Sequence, residues 1–486
     1  GLRAEITNFV PSGGELPAEA SLVELMQVVL TNTGSEPLTL TPTAAIPVFG
    51  RSADSLRDHR HVTSLLHRIY THPAGVVVRP TLAFDERGHR PNTVAYAVLG
   101  AEGNGTPPAA FFPTLETFVG PGGSLDWPQA VVSPNSPGLG AGQRLAGYEA
   151  MGGLRFHTIT LEPGQRQAYG LVLGILDEDT DPEAIMALFG DQARFEAWLT
   201  LTRNHWEQKL ASLQVDLGDA RFNGWLKWVT LQPILRRICG NSFLPYHDYG
   251  RGGRGWRDLW QDQLALLLTE PDEVRTQLFS NFAGIRLDGS NATIIGDAPG
   301  EFRADRNNIP RVWMDHGAWP LLTTQLYLDR SGDLAFLLEE QVYFKDSWIH
   351  RAQAVDEAWD PEVGTEQRTR MGSIYRGSIL EHLLVQHLTA FFHVGEHNII
   401  RLEGGDWNDG LDMARLRGES VAFTALYASN LRALSELVLA LGRLGLTEVG
   451  LFAELLPLLD RLDDPVDYDS VAAKQSRLAE YCAVAQ

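Results

Sequence analysis

The sequence predicts an α+β protein of several domains: an antiparallel β-sandwich, a helical linker, and an α/α toroid expected to be incomplete at its C-terminus. Three observations carry this reading. Short runs rich in Val, Thr and aromatic residues, separated by turn signals, fill the chain to about Leu176. After Asp177 the apolar residues recur at three and four instead of two. From Asp219 onward helical segments follow one another, joined by long loops carrying Gly, Asp, Arg and Trp. The expected boundaries are residues 1–178 for the sandwich, 179–216 for the linker and 217–486 for the helical domain.

In the first part, "LMQVVLTN", "LTLTPTAAIPVFG", "GVVVRPTLAF", "TVAYAVLGA", "RFHTITL" and "AYGLVLGIL" have strand length and composition. "NTGSEP", "GNGTPP" and "EPGQ" mark turns between them. Such a series closes most readily as a sandwich. The basic stretch "RSADSLRDHRHVTSLLHR" interrupts it, as a surface helix or a docked loop. "DPEAIMALFGDQARFEAWLTLTRNHWEQKLASL" then reads as helix and as the linker. The helical domain holds "DARFNGWLKWVTLQPILRRI", "LWQDQLALLLT", "PDEVRTQLFSNFAGI", "HGAWPLLTTQLYLDR", "GSILEHLLVQHLTAFFHV", "SVAFTALYASNLRALSELVLALGRLG", "LFAELLPLLDRL" and a final amphipathic helix. Helices joined by long polar loops point to a toroid whose loops build a site at one end. No fixed-period repeat supports a solenoid instead.

Composition narrows the function. With 486 residues, 44% apolar and 21% charged, the chain is that of an ordinary globular protein with room for more than one core. A net charge of −21 disfavours nucleic acid and anionic membrane as partners. The two cysteines, Cys239 and Cys482, imply no disulfide framework. No apolar run reaches the length of a membrane span and no signal segment opens the chain, so a cytoplasmic location is expected. On that reading the sequons at Asn104 and Asn291 are chance matches. The strand-like start and the uncapped final helix lead us to expect either that further polypeptide belongs on both sides or that another chain supplies the missing parts. Twelve tryptophans are many, and flat aromatic faces can hold sugar rings, although Trp is more often core.

Three segments offer chemistry. "HVGEH", His393 to His397, matches a zinc-protease pattern, but Gly395 falls between the imidazoles where the helix is ending. Polar residues at a helix terminus explain it better, and no metal is expected. "YGRGGRGWRDLWQD" has glycines that could let amides converge on an anion. It also carries Arg251, Arg254, Arg257 and Asp258, whose guanidinium forks and carboxylate at a helix start could clamp sugar hydroxyls. "EGGDWNDGLDMA" packs four carboxylates and Trp407 into a glycine-broken loop. Cleaving a glycosidic bond needs a protonated carboxyl beside the leaving oxygen, and an apolar wall raises a carboxyl's pKa. A solvated Asx-rich turn is the plainer alternative.

"RGWRDLWQD" followed by "GGDWNDGLDMA" resembles the arginine–aspartate segment and D-W-N-D loop of the family-94 glycoside phosphorylases. Within that family, "EGGDWNDGLDMARLRGESVAFTALY" and "FGRSADSLRDHRHVTSLLHR" look most like the 1,2-β-oligoglucan phosphorylases. The resemblance implies a β-sandwich, a helical linker and an (α/α)6 barrel. It further implies reversible, inverting phosphorolysis of β-linked glucans to α-glucose 1-phosphate, with inorganic phosphate as co-substrate and no cofactor. By the same resemblance Asp409 is the general acid and Trp407 lines the glucosyl pocket. Arg251 and Asp258 grip the non-reducing glucose, with Arg257 and Asp262 as weaker carry-overs. The expected partners are thus a β-glucooligosaccharide and phosphate, with a homodimer in keeping with the family. Gly410 stands where many relatives have cysteine, which points to the oligoglucan branch. The family's phosphate-binding residues lie in later barrel loops and are expected beyond Gln486. Two other readings stay open: a transglycosylase of cyclic β-1,2-glucan synthesis, and a non-catalytic glucan-binding module.

Overall fold

A computed structural model describes the chain except residues 51–62, 86–87, 134–135, 178, 240–254, 293, 296–297, 304–311, 405–408, 415, 462 and 486. The described residues form two compact units, one from Gly1 to Ala211 and one from Ser212 onward.

The first unit holds strands β1 (Leu2–Phe9), β2 (Val23–Asn32), β3 (Leu38–Leu40), β4 (Thr43–Val48), β5 (His67–His72), β6 (Gly75–Pro80), β7 (Leu82–Asp85) and β8 (Gly88–Pro91). It continues with β9 (Val94–Glu102), β10 (Ala110–Thr114), β11 (Arg144–Ala146), β12 (Ala150–Arg155), β13 (Ile159–Leu161) and β14 (Arg166–Asp177). Two short helices, α1 (Leu115–Val119) and α2 (Gln129–Val132), lie between β10 and β11. Seven strands pair antiparallel in the order β1-β2-β14-β9-β6-β5-β11. A second sheet runs β10-β12-β4.

Alternation sends side chains of the large sheet to two cores. Val76, Val78, Val98 and Leu171 join Phe111, Ala150 and Leu154 of the small sheet in one cluster. Val77, Ala97, Leu99 and Val172 join Ile185, Phe189 and Phe195 on the other face. Those last three come from α3 (Pro182–Phe189) and α4 (Gln192–Ala211), so the helices read as linker cover the large sheet. The expected run "LTLTPTAAIPVFG" is two strands rather than one: Pro42 interrupts it, β3 pairs with β13 and β4 with β12. Of the basic excursion, residues 51–62 lie outside the described residues, and His67 and Arg68 at its end begin β5.

The two sheets meet where β12 has no side chains. A Cβ on Gly152 would run into the Val98 side chain. Gly152→Val is therefore expected to destabilise this unit by about 1–3 kcal/mol through overpacking. Chemical denaturation checks it, and adding Val98→Ala should recover part of the loss.

The second unit contains α5 (Ala220–Cys239), α6 (Trp256–Leu266), α7 (Pro271–Phe282), α8 (Ala318–Ser331), α9 (Ile379–Phe392), α10 (Asp409–Asp412), α11 (Val421–Arg443) and α12 (Val471–Val484). Helix α9 is the centre. Ser378 caps it by accepting from the Glu381 N–H at 3.1 Å, and it packs against α7, α8, α11 and α12. Trp256 and Trp260 are buried in the core of this unit against Phe302 and Phe282 rather than offered to a ligand. The stretch "LFAELLPLLDRL" departs from expectation: only a 3-10 segment, Ala453–Leu458, forms there. Pro457 lacks the N–H an α-helix would need. No helix among the described residues is long and apolar enough to cross a membrane.

Candidate active site

Helix α6 begins at Gly255, which is extended (φ −78°, ψ 155°). Asp258 lies in the first turn, where a carboxylate is favoured by the helix dipole. Its Oδ2 sits over Gly255, only 2.6 Å from where a Cβ would stand. Trp256 points inward and its Nε1–H donates to the His316 carbonyl at 3.0 Å. Arg257, beside it, forks onto Asp315 through Nε and through Nη2, the latter at 3.0 Å from Oδ1. Trp319 Nε1–H donates to the same carboxylate at 3.0 Å. Burial would push the Asp315 carboxyl up, but Arg257 and Trp319 together hold it below its ordinary value. Asp262 follows one turn after Asp258 on α6.

Trp313 joins this segment to the acid-rich loop. The Arg257 guanidinium lies 5.7 Å from the centre of its ring. Gly404 also approaches this tryptophan: a Cβ on it would sit 2.7 Å from Trp313 Cδ1 and 3.0 Å from the Val312 carbonyl. Gly404 is needed here because the backbone passes too close to the indole to leave room for a side chain. Residues next to the two sequence motifs thus share one tryptophan.

The loop leaves a narrow neck. Leu402 N–H donates to Gly418 O and Ser420 N–H to Ile400 O, both at 2.9 Å. Glu403, the first residue past the neck, receives Arg351 Nε at 2.6 Å and Nη2 at 2.7 Å. His393 Nδ1 lies 3.1 Å from the same carboxylate, while its Nε2 faces Gln353 Nε2 at 3.1 Å. Glu403 accepts, so the ring carries its proton on Nδ1 and takes the Gln353 amide on Nε2. Burial alone would raise the Glu403 carboxyl, yet Arg351 and His393 hold it far below the carboxylate range. His316 is buried and held neutral, pushed down to about 3 by burial against the opposing pull of Asp315 and Glu403.

The two histidines of the zinc-like pattern go to different partners: His393 to Glu403 and His397 to Glu419 at 2.6 Å. Of the residues singled out in the sequence, Arg257, Asp258 and Asp262 sit together on the first two turns of α6. Asp409 opens α10, beyond Gly404, and Arg251 and Trp407 lie outside the described residues. Sequence reasoning missed Trp313, Asp315 and Arg351, and it counted Glu403 as loop acidity. "VWMDHGAW" carried a signal, since two aromatics flank an acid and a histidine. Arg351 carried none.

The family described as "Glycosyl hydrolase 94 superfamily, catalytic domain" matches residues 205–443, and "Glycosyl hydrolase 94, supersandwich domain" matches residues 1–192. The chain belongs to this glycosyl hydrolase 94 family. It is similar to the solabiose phosphorylase of Paenibacillus borealis, 26% identical over 74% of this chain and 40% of that protein. It is also similar to the cyclic β-(1,2)-glucan synthase NdvB of Rhizobium meliloti, 25% identical over 65% of this chain and 10% of that protein. A third relative is the 3-O-β-D-glucopyranosyl-β-D-glucuronide phosphorylase of Paenibacillus borealis, 24% identical over 86% of this chain and 47% of that protein. The chain spans less than half the length of each of these curated relatives.

Proposed function

We propose that this polypeptide carries the glucosyl site of an inverting glycoside phosphorylase acting on β-linked glucooligosaccharides, β-1,2-glucans first among them. The single observation that supports it most is the meeting of Arg257 and Gly404 on Trp313, which brings the flanks of the arginine–aspartate segment and the acid loop to one wall. The helical unit is proposed to be part of an (α/α)6 toroid, with the site on its loop face.

In this reading the carboxyl of Asp409 gives its proton to the glycosidic oxygen as the bond from that oxygen to the anomeric carbon breaks. A phosphate oxygen attacks the same carbon from the opposite face. The products are α-glucose 1-phosphate and the shortened glucan, and the single displacement inverts the configuration. Phosphate is itself the nucleophile, so one catalytic carboxyl suffices and no cofactor is called for. Arg251 and Asp258 hold the non-reducing glucose, with Trp407, Arg257 and Asp262 around it. Asp315 fixes the orientation of the Arg257 guanidinium.

Similarity to the cyclic β-(1,2)-glucan synthase supports a second reading, transglycosylation between glucan chains. Phosphate separates the two. The chain is expected to release α-glucose 1-phosphate from sophorooligosaccharides only when phosphate is present, followed by anion chromatography. Glucan products that form equally well without phosphate would favour transglycosylation. Binding without turnover would leave a glucan-binding module.

A further inference from the structure

We propose that Arg351 and Glu403 are a positioning pair that fixes the root of the loop carrying the acid; this inference rests on the phosphorylase reading. Glu403 follows the neck formed by Leu402 and Gly418, where Arg401 also bridges to Glu419. Its carboxylate is therefore the first group able to set the direction in which the loop departs. Arg351 grips both of its oxygens, and the two side chains are only 5% and 9% exposed.

The backbone under Arg351 is unusual. His350, Arg351 and Ala352 have φ of 57°, 55° and 57°, three successive non-glycine residues in the left-handed region. This region is costly for a residue with a Cβ, so a run of three persists only where the surroundings impose it. Asp288 imposes it. One carboxylate oxygen accepts the N–H groups of Arg351 and Ala352 at 2.6 and 3.3 Å, and the other accepts the Ser290 N–H and hydroxyl at 2.8 and 2.5 Å. Thr389 Oγ1 then receives Arg351 Nη1 at 3.0 Å. Gly289, at φ 78°, runs so close to that hydroxyl that no Cβ fits.

Stability does not account for this arrangement. A buried ion pair gives little net stabilisation over a well-packed apolar pair, and the left-handed turn adds cost. What it supplies is direction: a bidentate pair allows one orientation of the Glu403 side chain, and Gly404 then packs close against Trp313.

The test uses Glu403→Gln and Arg351→Lys in the full polypeptide, with melting curves to confirm folding. Two phosphate-dependent reactions are compared: phosphorolysis of a sophorooligosaccharide, whose leaving oxygen must be protonated, and of 2,4-dinitrophenyl β-glucoside, whose leaving group needs no proton. A misplaced acid should lower kcat on the sophorooligosaccharide about 100-fold. KM for phosphate and turnover of the dinitrophenyl glucoside should stay within about threefold. Equal losses on both substrates, or no loss on either, overturn the proposal. Absence of both reactions in the unsubstituted protein is failure of the phosphorylase reading instead. The positioning role is then read by amide exchange between Leu402 and Gly418. Exchange about tenfold faster in Glu403→Gln, with α9 unchanged, supports it, and unaltered protection overturns it.

Discussion

Arg351→Met is expected to destabilise the helical unit by about 3–5 kcal/mol, because it leaves the Glu403 carboxylate buried without its main partner. Glu403 would retain only His393 beside it among the side chains shown to contact it. One further loss adds to this: Thr389 Oγ1 loses the Nη1 donor. A drop of this size should lower the melting temperature of the unit by about 10 °C. The double variant Arg351→Met with Glu403→Leu removes both charges, and it should recover most of the stability while leaving the loop root unset. A double variant that melts no higher than the single one would contradict the stranded carboxylate as the source of the loss.

Acid should also loosen this unit well before its carboxylates titrate. His387 is buried with Nδ1–H donating to Leu383 O at 2.8 Å and Nε2 accepting from Asn430 Nδ2 at 3.1 Å. A second proton would set N–H against N–H. Burial pushes this ring and His382 down to about 4 and His316 down to about 3, against 6.5 for a free histidine. All three folded values lie below the unfolded one, so the unfolded chain binds protons first. The stability each neutral ring confers is complete above about pH 6.5 and falls as pH descends toward the folded values. From about pH 7 to about pH 5 the three rings together should forfeit about 5–6 kcal/mol. Urea midpoints across that range measure it, and His387→Gln should flatten the slope by about a third. A flat stability profile between these values contradicts the assignment of neutral rings.

Much of the fold could be read from the residues. Strands β2, β9 and β14 announce themselves because β-branched residues alternate toward two buried faces. Strand β12 did not, since "AMGGLR" has two glycines where a strand should show side chains. Their absence is what lets the second sheet close on Val98, a fact about packing and not about propensity. The segment around Pro457 read as helix from its leucines, though proline forbids the last hydrogen bonds.

The site was legible in part for a similar reason. Arg257, Asp258 and Asp262 stand in a motif on one helix, where spacing fixes their neighbours. Asp315 and Trp313 lie some 55 residues later in the chain, and only folding brings them to Arg257. Arg351 sits in "HRAQ", which contains no glycine to advertise a left-handed turn; the turn is dictated by Asp288, 63 residues away. A long-range carboxylate overriding local preference leaves no trace in local sequence.

The most direct test concerns the proton that Asp409 is proposed to give. Phosphate-dependent release of α-glucose 1-phosphate from a sophorooligosaccharide should be followed by 31P NMR for the unsubstituted polypeptide and for Asp409→Asn at matched melting temperature. The account predicts that the amide, which has no acid to give, lowers turnover about a thousandfold. Undiminished turnover by a properly folded Asp409→Asn protein would contradict it.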